Sequence, residues 1–184
     1  MSLSVVVPTH EDGTGWLPRV LSRLSEVEGL DVVCAGDEPP PAGSAARFVR
    51  VEGASRGARL QAGVQASLGA TVLLHHPRSL VEPEGLRVLA ARAGRAGWGG
   101  FTHAFDWDHP LLRFTSWYSN HVRPRTSGIV YLDHCVYFDK RLLVRPIPPV
   151  DIFEDTELSL ILRESGPPVL LPYVATTSAV RFRA

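Results

Sequence analysis

Several classes of protein are excluded by what this 184-residue chain lacks. Two cysteines, Cys34 and Cys135, are too few for a disulfide framework, and because both lie in apolar stretches we expect buried thiols. The formal net charge is zero and Lys140 is the only lysine, so the composition argues against a nucleic-acid-binding protein. No apolar run approaches the roughly 20 residues that a membrane span requires. We therefore expect no span and leave peripheral membrane association open.

Motifs for common cofactors are also missing. Neither GxGxxG nor GxxxxGK[ST] occurs, which excludes the usual glycine loops for phosphate, and neither CxxC nor HExxH indicates zinc. His75 and His76 are adjacent and would point to opposite faces of a strand, so they are poorly placed to bind one metal ion. The opening LSVVVPT (3–9) reads directly as a strand rather than as a secretory signal. We therefore expect no cofactor and a cytoplasmic location.

Strand-like and helix-like segments alternate through the first half of the chain. The apolar runs 3–9, 30–36, 47–53 and 70–76 read as strands, and amphipathic segments lie between them. Ser55 is placed to cap one of these helices. Such alternation predicts an α/β fold with a mixed, mainly parallel sheet and helices on both faces. Ligands of such sheets bind at the carboxyl ends of the strands.

The second half of the chain breaks this rhythm. We expect helices over EPEGLRVLAARAGRA, PLLRFTSWYSNHVRPR and FEDTELSLILRESG, and strands within WGGFTHAFDWDH, GIVYLDHCVYFDKRLL and PPVLLPYVATTSAVRF. The change near residue 100 carries no linker composition, so we interpret residues 1–184 as one domain with two halves, about 1–100 and about 101–184.

Two carboxylate pairs are candidates for chemistry, each with a plainer explanation beside it. Glu154 and Asp155 open a predicted helix, where the helix dipole favours carboxylates whatever else they do. Asp106 and Asp108 in FDWDH have a spacing that can chelate a divalent cation from a loop, although Asp is also common before turns.

Basic residues suggest an anion site with the same ambiguity. Arg56 and Arg59 flank Gly57 and can either hold a phosphate or line a helix surface. In LLHHPRS, a predicted strand ends in imidazoles and Arg78, where a ligand or merely a surface turn is expected.

Taken in order, these segments resemble family-2 glycosyltransferases with the GT-A fold, and most closely the bacterial subgroup named for a proposed part in arsenosugar biosynthesis. The resemblance covers nearly the whole chain and implies a GT-A-like fold. It also implies the transfer of a sugar from a nucleotide-sugar donor, with a UDP-sugar favoured, to an unidentified acceptor hydroxyl with inversion. The matching stretches are VVVPTHED, SRGARLQAGV, LLHHPRS, WGGF, SGIVYLDHCVYF, FEDTELSLILR and TSAVRF.

The resemblance also implies roles for particular positions. Asp155, with Glu154 beside it, stands where the family places its catalytic base. Residues 1–100 would be the nucleotide-binding half and residues 101–184 the acceptor-side half. The implied nucleotide-binding residues are Pro8, Thr9, Glu11, Asp37, Arg56, Arg59, His76 and Arg78, and the implied acceptor-side residues are Trp98, Asp133 and His134.

The chain departs from the family at two acidic positions. Ala35 stands where an Asp usually holds uracil, and the family's HAD has become His76-Pro77-Arg78, so the Asp that usually binds the metal is missing. We therefore expect Arg78 to replace the metal, or else Mg²⁺ or Mn²⁺ to bind at a site relocated to the FDWDH carboxylates. The competing interpretations are a GT-A-fold protein that has lost catalysis and binds a nucleotide, sugar or protein, and another nucleotide-sugar enzyme such as a nucleotidyltransferase.

Overall fold

One mixed sheet of eight strands runs through residues 3–10, 15–95 and 97–183, which the computed structural model describes. The strands are β1 (Leu3–Thr9), β2 (Asp31–Gly36), β3 (Arg47–Arg50), β4 (Thr71–Leu74), β5 (Ser79–Val81), β6 (Trp98–Phe105), β7 (Val136–Asp139) and β8 (Val169–Thr177). Their spatial order is β3-β2-β1-β4-β7-β6-β8-β5. Strands β5 and β7 are antiparallel to their neighbours, and all other neighbouring pairs are parallel.

Helices cover both faces of this sheet, as the sequence predicts. The helices are α1 (Trp16–Ser25), α2 (Arg56–Ala66), α3 (Pro83–Ala91), α4 (Pro110–His121), α5 (Arg123–Thr126) and α6 (Glu154–Leu162). Apolar residues of α1 and α3 share one buried core with alternate residues of β1, and those of α2 and α6 share the other. No helix in the described ranges is both long enough and apolar enough to cross a bilayer.

The first half of the chain follows its predicted pattern closely. Four parallel strands form where apolar runs were predicted, and Ser55 caps α2, because its Oγ accepts a hydrogen bond from the backbone N–H of Ala58 at 3.2 Å. The short strand β5 was not predicted. It directly follows the polar turn after β4 and pairs with β8, which is distant in the sequence. A local sequence pattern does not reveal pairing over such a distance.

The segment before β7 differs most from its predicted form. A strand was expected over much of residues 128–143, but only Val136–Asp139 pair. Leu132–His134 form a 3-10 turn, and Cys135 has a φ of 52°, a left-handed conformation that interrupts any strand. The C-terminal segment, expected as several strands, forms the single strand β8.

The carboxyl ends of β1, β2 and β4 meet at one edge of the sheet, together with the amino end of the antiparallel strand β7. Strands β1 and β2 approach each other very closely at this edge. A Cβ at Gly36 would lie 1.9 Å from the carbonyl oxygen of Thr9, so position 36 tolerates no side chain. Polar residues that follow these strands are thereby brought together.

Candidate active site

Residues from four segments converge at this carboxyl edge. His76 follows β4, and its Nε2 lies 3.4 Å from Oδ1 of Asp133, which precedes β7. Arg56 begins α2, and its Nε donates a hydrogen bond to Oε1 of Glu154 at 2.5 Å. Asp155 follows Glu154 in the first turn of α6. We call these five residues, together with Arg78, the edge cluster.

The position of Arg56 depends on close backbone packing at the start of α2. A Cβ at Gly57 would lie 1.9 Å from the carbonyl oxygen of Pro148, and the N–H of Gly57 donates to the carbonyl of Val150 at 3.0 Å. Glycine is needed here so that the segment leading to α6 can approach the start of α2. The same contact carries Arg56 to Glu154.

Glu154 is fully buried, and its only hydrogen-bond partner among the described residues is Arg56. Its Oε1 accepts from Arg56, whereas Oε2 has no partner within the part of the chain that the structure describes. Burial raises the pKa of Glu154, the charge of Asp155 raises it further, and Arg56 opposes both. The ion pair therefore compensates a carboxylate that would otherwise be costly to bury.

Arg56→Ala is expected to lower the free energy of unfolding by about 2–4 kcal/mol, because it leaves the Glu154 carboxylate buried without a counterion. Urea denaturation at neutral pH measures this loss. The loss should shrink in mild acid, since a raised pKa lets Glu154 become neutral there. The matched variant Arg56→Ala/Glu154→Gln should recover most of the stability. A double variant as unstable as the single one would contradict this account.

Asp155 is held by two backbone groups. Its Oδ2 accepts a hydrogen bond from the N–H of Leu132 at 2.9 Å, and its Oδ1 accepts from the N–H of Thr156 at 2.8 Å. Both oxygens keep a second lone pair, and the side chain is only partly buried. The carboxylate is thus fixed in orientation and still accessible, which suits a group that exchanges protons with a ligand.

Asp133 lies among three guanidinium groups. Burial raises its pKa, as does the negative charge of Asp155, while Arg56, Arg78 and Arg181 lower it. Arg181 was not predicted as a site residue. It lies in a 3-10 turn, Val180–Phe182, within the TSAVRF stretch that matched a family motif. That stretch was the available signal.

The imidazole of His76 is neutral in this setting. Burial, followed by the charges of Arg56 and Arg78, holds its pKa well below the usual value. Its Nδ1 accepts from the N–H of Arg78 at 3.2 Å, which leaves the proton on Nε2, directed at Asp133. The side chain of His75 is buried separately, with Nδ1 2.8 Å from the carbonyl oxygen of His76.

A second polar group lies where β1 and β2 end. Oδ2 of Asp37 is 3.2 Å from Nδ1 of His10 and 3.4 Å from Nη2 of Arg59. Burial acts to raise the pKa of Asp37, but the hydrogen bond from His10 and the charge of Arg59 outweigh it, and the pKa is lowered. Pro8 and Thr9 end β1 beside this group. Glu11 lies outside the described residues.

One predicted acceptor-side residue, Trp98, is not brought to this edge, and another, His134, makes its contacts elsewhere. Trp98 begins β6 and therefore lies at the opposite edge of the sheet, buried, with Nε1 donating to the carbonyl of Gly166 at 2.9 Å. His134 is buried in a separate network, with Nδ1 donating to the carbonyl of Phe101 at 2.8 Å. Burial and internal hydrogen bonds occupy both side chains, and their acceptor-side roles stay predictions.

Comparison with known proteins places the fold. No protein-family model and no curated protein sequence matches the chain. Residues 1–349 of S. aureus TarS align with a TM-score of 0.72 and 14% identity, over 97% of this chain and 60% of that one. The same fragment solved with UDP-GlcNAc aligns with a TM-score of 0.66 and 15% identity, over 97% of this chain and 58% of that one. A third similar structure is the mannosyltransferase PcManGT from Pyrobaculum calidifontis in complex with GDP-Man and Mn²⁺. It aligns with a TM-score of 0.66 and 15% identity, over 95% of this chain and 56% of that one.

The fold is GT-A-like. At this level of identity the likeness concerns the fold alone, and the chain spans about 60% of the length of the TarS fragment. The strand order, with β7 inserted antiparallel beside β4, confirms the predicted fold class. It also explains why Asp133, far along the chain, lies next to the end of β4.

The described residues of this GT-A-like chain do not fit a divalent metal. No group of three His, Cys, Asp or Glu side chains converges in the described ranges. The relocated site proposed at FDWDH is not formed: Oδ1 of Asp106 accepts from the N–H of Ala179 at 2.7 Å, while Asp108 is exposed and pairs with Arg113 at 3.2 Å. Where β4 ends, burial and then the charges of Arg56 and Arg78 hold the pKa of His76 well below its usual value, and these guanidinium groups also repel a cation.

Proposed function

We propose that the protein is a glycosyltransferase of the family-2 type, which moves a sugar from a nucleotide-activated donor to an acceptor hydroxyl in the cytoplasm. The observation that carries the proposal is the edge cluster. There a fixed, accessible carboxylate, Asp155, lies next to Asp133, whose charge is influenced by three arginines, at the carboxyl edge of a GT-A-like sheet. The similar structures solved with UDP-GlcNAc, UDP and GDP-Man support a nucleotide-sugar donor and favour a UDP-sugar.

Asp155 is the catalytic base in this proposal. It takes the proton from the acceptor hydroxyl as that oxygen attacks the anomeric carbon, and the bond from this carbon to the diphosphate oxygen breaks. The electron pair leaves with the diphosphate, and the anomeric configuration inverts. The hydrogen bonds from Leu132 and Thr156 orient the carboxylate for this step. Asp133 contributes to the acceptor side, and Glu154 is a positioning residue that holds Arg56.

Arginines stabilise the leaving group. The departing diphosphate gains negative charge, which must be met by positive groups already in place. The charges of Arg56, Arg78 and Arg181 all lower the pKa of Asp133, so each of them acts at this part of the carboxyl edge. A guanidinium can meet a diphosphate with two parallel hydrogen bonds. These residues would supply the positive charge that a metal ion supplies elsewhere.

The nucleoside would bind where β1 and β2 end. Arg59 has a buried Nε without a hydrogen-bond partner among the described residues, and the buried Oγ1 of Thr9 likewise has none there. Buried polar groups of this kind are expected to find partners in a ligand or ordered water. In this proposal, Thr9 and Arg59 bind the nucleoside together with Pro8 and Asp37, and residues 1–100 are the nucleotide-binding half of the chain. The assignment of Glu11 stays a prediction.

Nucleotide binding is expected to be independent of divalent metal and to require Arg78. In EDTA, a UDP-, GDP- or dTDP-sugar at a hundred times its Kd should stabilise the protein by about 2.7 kcal/mol, seen as a raised Tm. Arg78→Ala should weaken binding by roughly tenfold to a hundredfold, measured by calorimetry, because hydrogen bonds to charged groups contribute about 1.5–3 kcal/mol each.

Arg113→Ala provides a control, because Arg113 is an exposed arginine whose ion-pair partner, Asp108, is not a member of the edge cluster. It should bind the donor as the wild type does. A large gain in wild-type affinity on addition of Mn²⁺ would refute the replacement of metal by arginine. Failure of every nucleotide sugar to bind, with and without Mn²⁺, would refute the proposed function itself.

A second function is favoured by one observation: both of the family's donor-binding acidic positions are lost, the first to Ala35 and the second because HAD has become His76-Pro77-Arg78. In that case the protein would be a nucleotide- or sugar-binding protein without transferase activity. The two proposals separate in one assay. A transferase should release the nucleoside diphosphate from its bound donor, slowly with water and faster with an acceptor, whereas a binding protein should retain the donor intact.

A further inference from the structure

Helix α4 buries one large apolar side chain, Leu112, and leaves its other large apolar side chains exposed. The face that packs on the protein carries Ser116 and Ser119, whose hydroxyls lie 3.2 Å from Nδ1 of His103 and 2.7 Å from Nε2 of His134. A helix on a globular surface normally buries its apolar face instead. The solvent face of α4 carries four large apolar side chains, which are between 39% and 61% exposed: Leu111, Phe114, Trp117 and Tyr118.

The exposed rings form one continuous patch. The ring centroid of Phe114 is 6.0 Å from that of Trp117 and 6.4 Å from that of Tyr118. Trp117 in turn lies 6.2 Å from the ring of His121. We call Leu111, Phe114, Trp117 and Tyr118 the aromatic face. A contiguous exposed patch of this kind indicates a surface that is covered by a partner.

The stretch of sequence that carries the aromatic face is basic. From residue 109 to residue 132 the sequence contains three arginines and no carboxylate, although the whole chain has zero net charge. Arg113 and Arg125 are exposed, and Arg123 lies 4.1 Å from the ring of Tyr131. Asp108, immediately before this segment, pairs with Arg113. The segment is therefore complementary to an anionic partner.

We propose that α4 docks the protein onto an anionic lipid surface. Aromatic residues on one helix face with arginines beside them are typical of helices that lie in the membrane interface, where Trp and Tyr rings sit among the headgroups. A second copy of the chain is a poorer partner, because an isologous contact would bring the same arginines against each other. The proposal is independent of sugar transfer.

The turn that leads into α4 is linked to the candidate active site by hydrogen bonds. Helix α4 follows the carboxyl end of β6 after a short turn, in which the N–H of Asp106 donates to the carbonyl of Thr177 at 3.0 Å. Oγ1 of Thr177 in turn donates to the carbonyl of Asp133 at 3.4 Å. Docking through α4 would hold this edge of the sheet close to the lipid headgroups.

Vesicle co-sedimentation tests the proposal. The full chain should bind vesicles of phosphatidylcholine with phosphatidylglycerol about tenfold or more tightly than vesicles of phosphatidylcholine alone. Phe114→Ser/Trp117→Ser/Tyr118→Ser should lower binding to the anionic vesicles about tenfold or more, since it removes the apolar contact. Arg113→Gln/Arg125→Gln should lower it roughly tenfold to thirtyfold and abolish the preference for anionic lipid.

The control variant is Leu68→Ser/Val144→Ser, which removes two exposed apolar side chains elsewhere and should bind as the wild type does. Equal thermal unfolding of all variants shows that folding is unchanged. Three results would each overturn the proposal: no binding to either vesicle, undiminished binding by the triple variant, or equal binding to both lipid mixtures. A wild-type dimer that the triple variant loses, seen by light scattering, would assign the aromatic face to self-association instead.

Discussion

Asp155→Asn is expected to lower the rate of sugar transfer by ~10²–10⁴-fold, the range that loss of a general base produces. Donor affinity should stay nearly unchanged, because the proposed contacts to the nucleotide come from other residues. An amide oxygen can still accept one of the hydrogen bonds from Leu132 and Thr156, so the start of α6 should keep its form. Transfer is measured as release of nucleoside diphosphate and binding by calorimetry.

Glu157→Gln is the matched control for this variant. Glu157 is also an acid in the first turn of α6, but it is exposed and lies outside the edge cluster. It should keep full activity. Full transfer by Asp155→Asn would remove Asp155 from the mechanism. A loss of folding in Asp155→Asn, with normal folding in Glu157→Gln, would show that Asp155 serves to start the helix rather than to move a proton.

The sequence predicts the fold well where structure is locally determined. Apolar runs such as 3–9, covered on both faces, and a helix cap at Ser55 are properties of short segments, and both were found as predicted. Strand β5 and the turn at Leu132–His134 depend on partners distant in the chain, namely β8 and the carboxylate of Asp155. No local pattern encodes such partners, so these elements were missed.

Stability is expected to fall steeply as pH drops below about 6.5, the ordinary pKa of histidine. Four histidines are buried and have lowered pKa values, to about 4 for His75, to about 3 for His103, to about 4 for His134 and well below the ordinary value for His76. Burial is the largest cause in each case. Because the unfolded chain then binds more protons than the folded chain, acid favours unfolding.

The magnitude follows from proton linkage. Each histidine contributes up to about 1.4 kcal/mol per pH unit between its unfolded and folded pKa values, so four contribute about 5 kcal/mol per unit. The free energy of unfolding of a native protein is usually about 5–15 kcal/mol. A loss of this size is reached between about pH 6 and pH 4, so the protein should unfold in that range. Urea denaturation at several pH values measures the slope. His109→Gln/His121→Gln should leave it unchanged, and a flat stability between neutral pH and about pH 5 would contradict the expectation.

The sequence predicted the kind of ligand expected at the candidate site better than it predicted which side chains contact one another there. Arg56 was expected near a nucleotide. Its ion pair with Glu154 joins two residues that are distant in the sequence, and no motif spacing reveals such a pair. Arg181 was missed for the same reason. Trp98 was assigned a role by its place in a matching motif, yet a motif does not tell at which edge of the sheet a residue lies.

The strand order has a consequence for how the chain is made. Strand β4 is paired with β1 on one side only until β7, much later in the chain, is available, and β5 waits for β8. During synthesis, the first hundred residues therefore present the backbone of a buried, apolar strand as an open edge, which is a template for association between chains. Residues 1–100 released alone should aggregate rather than fold, and a ribosome-bound chain would need protection until β7 has emerged.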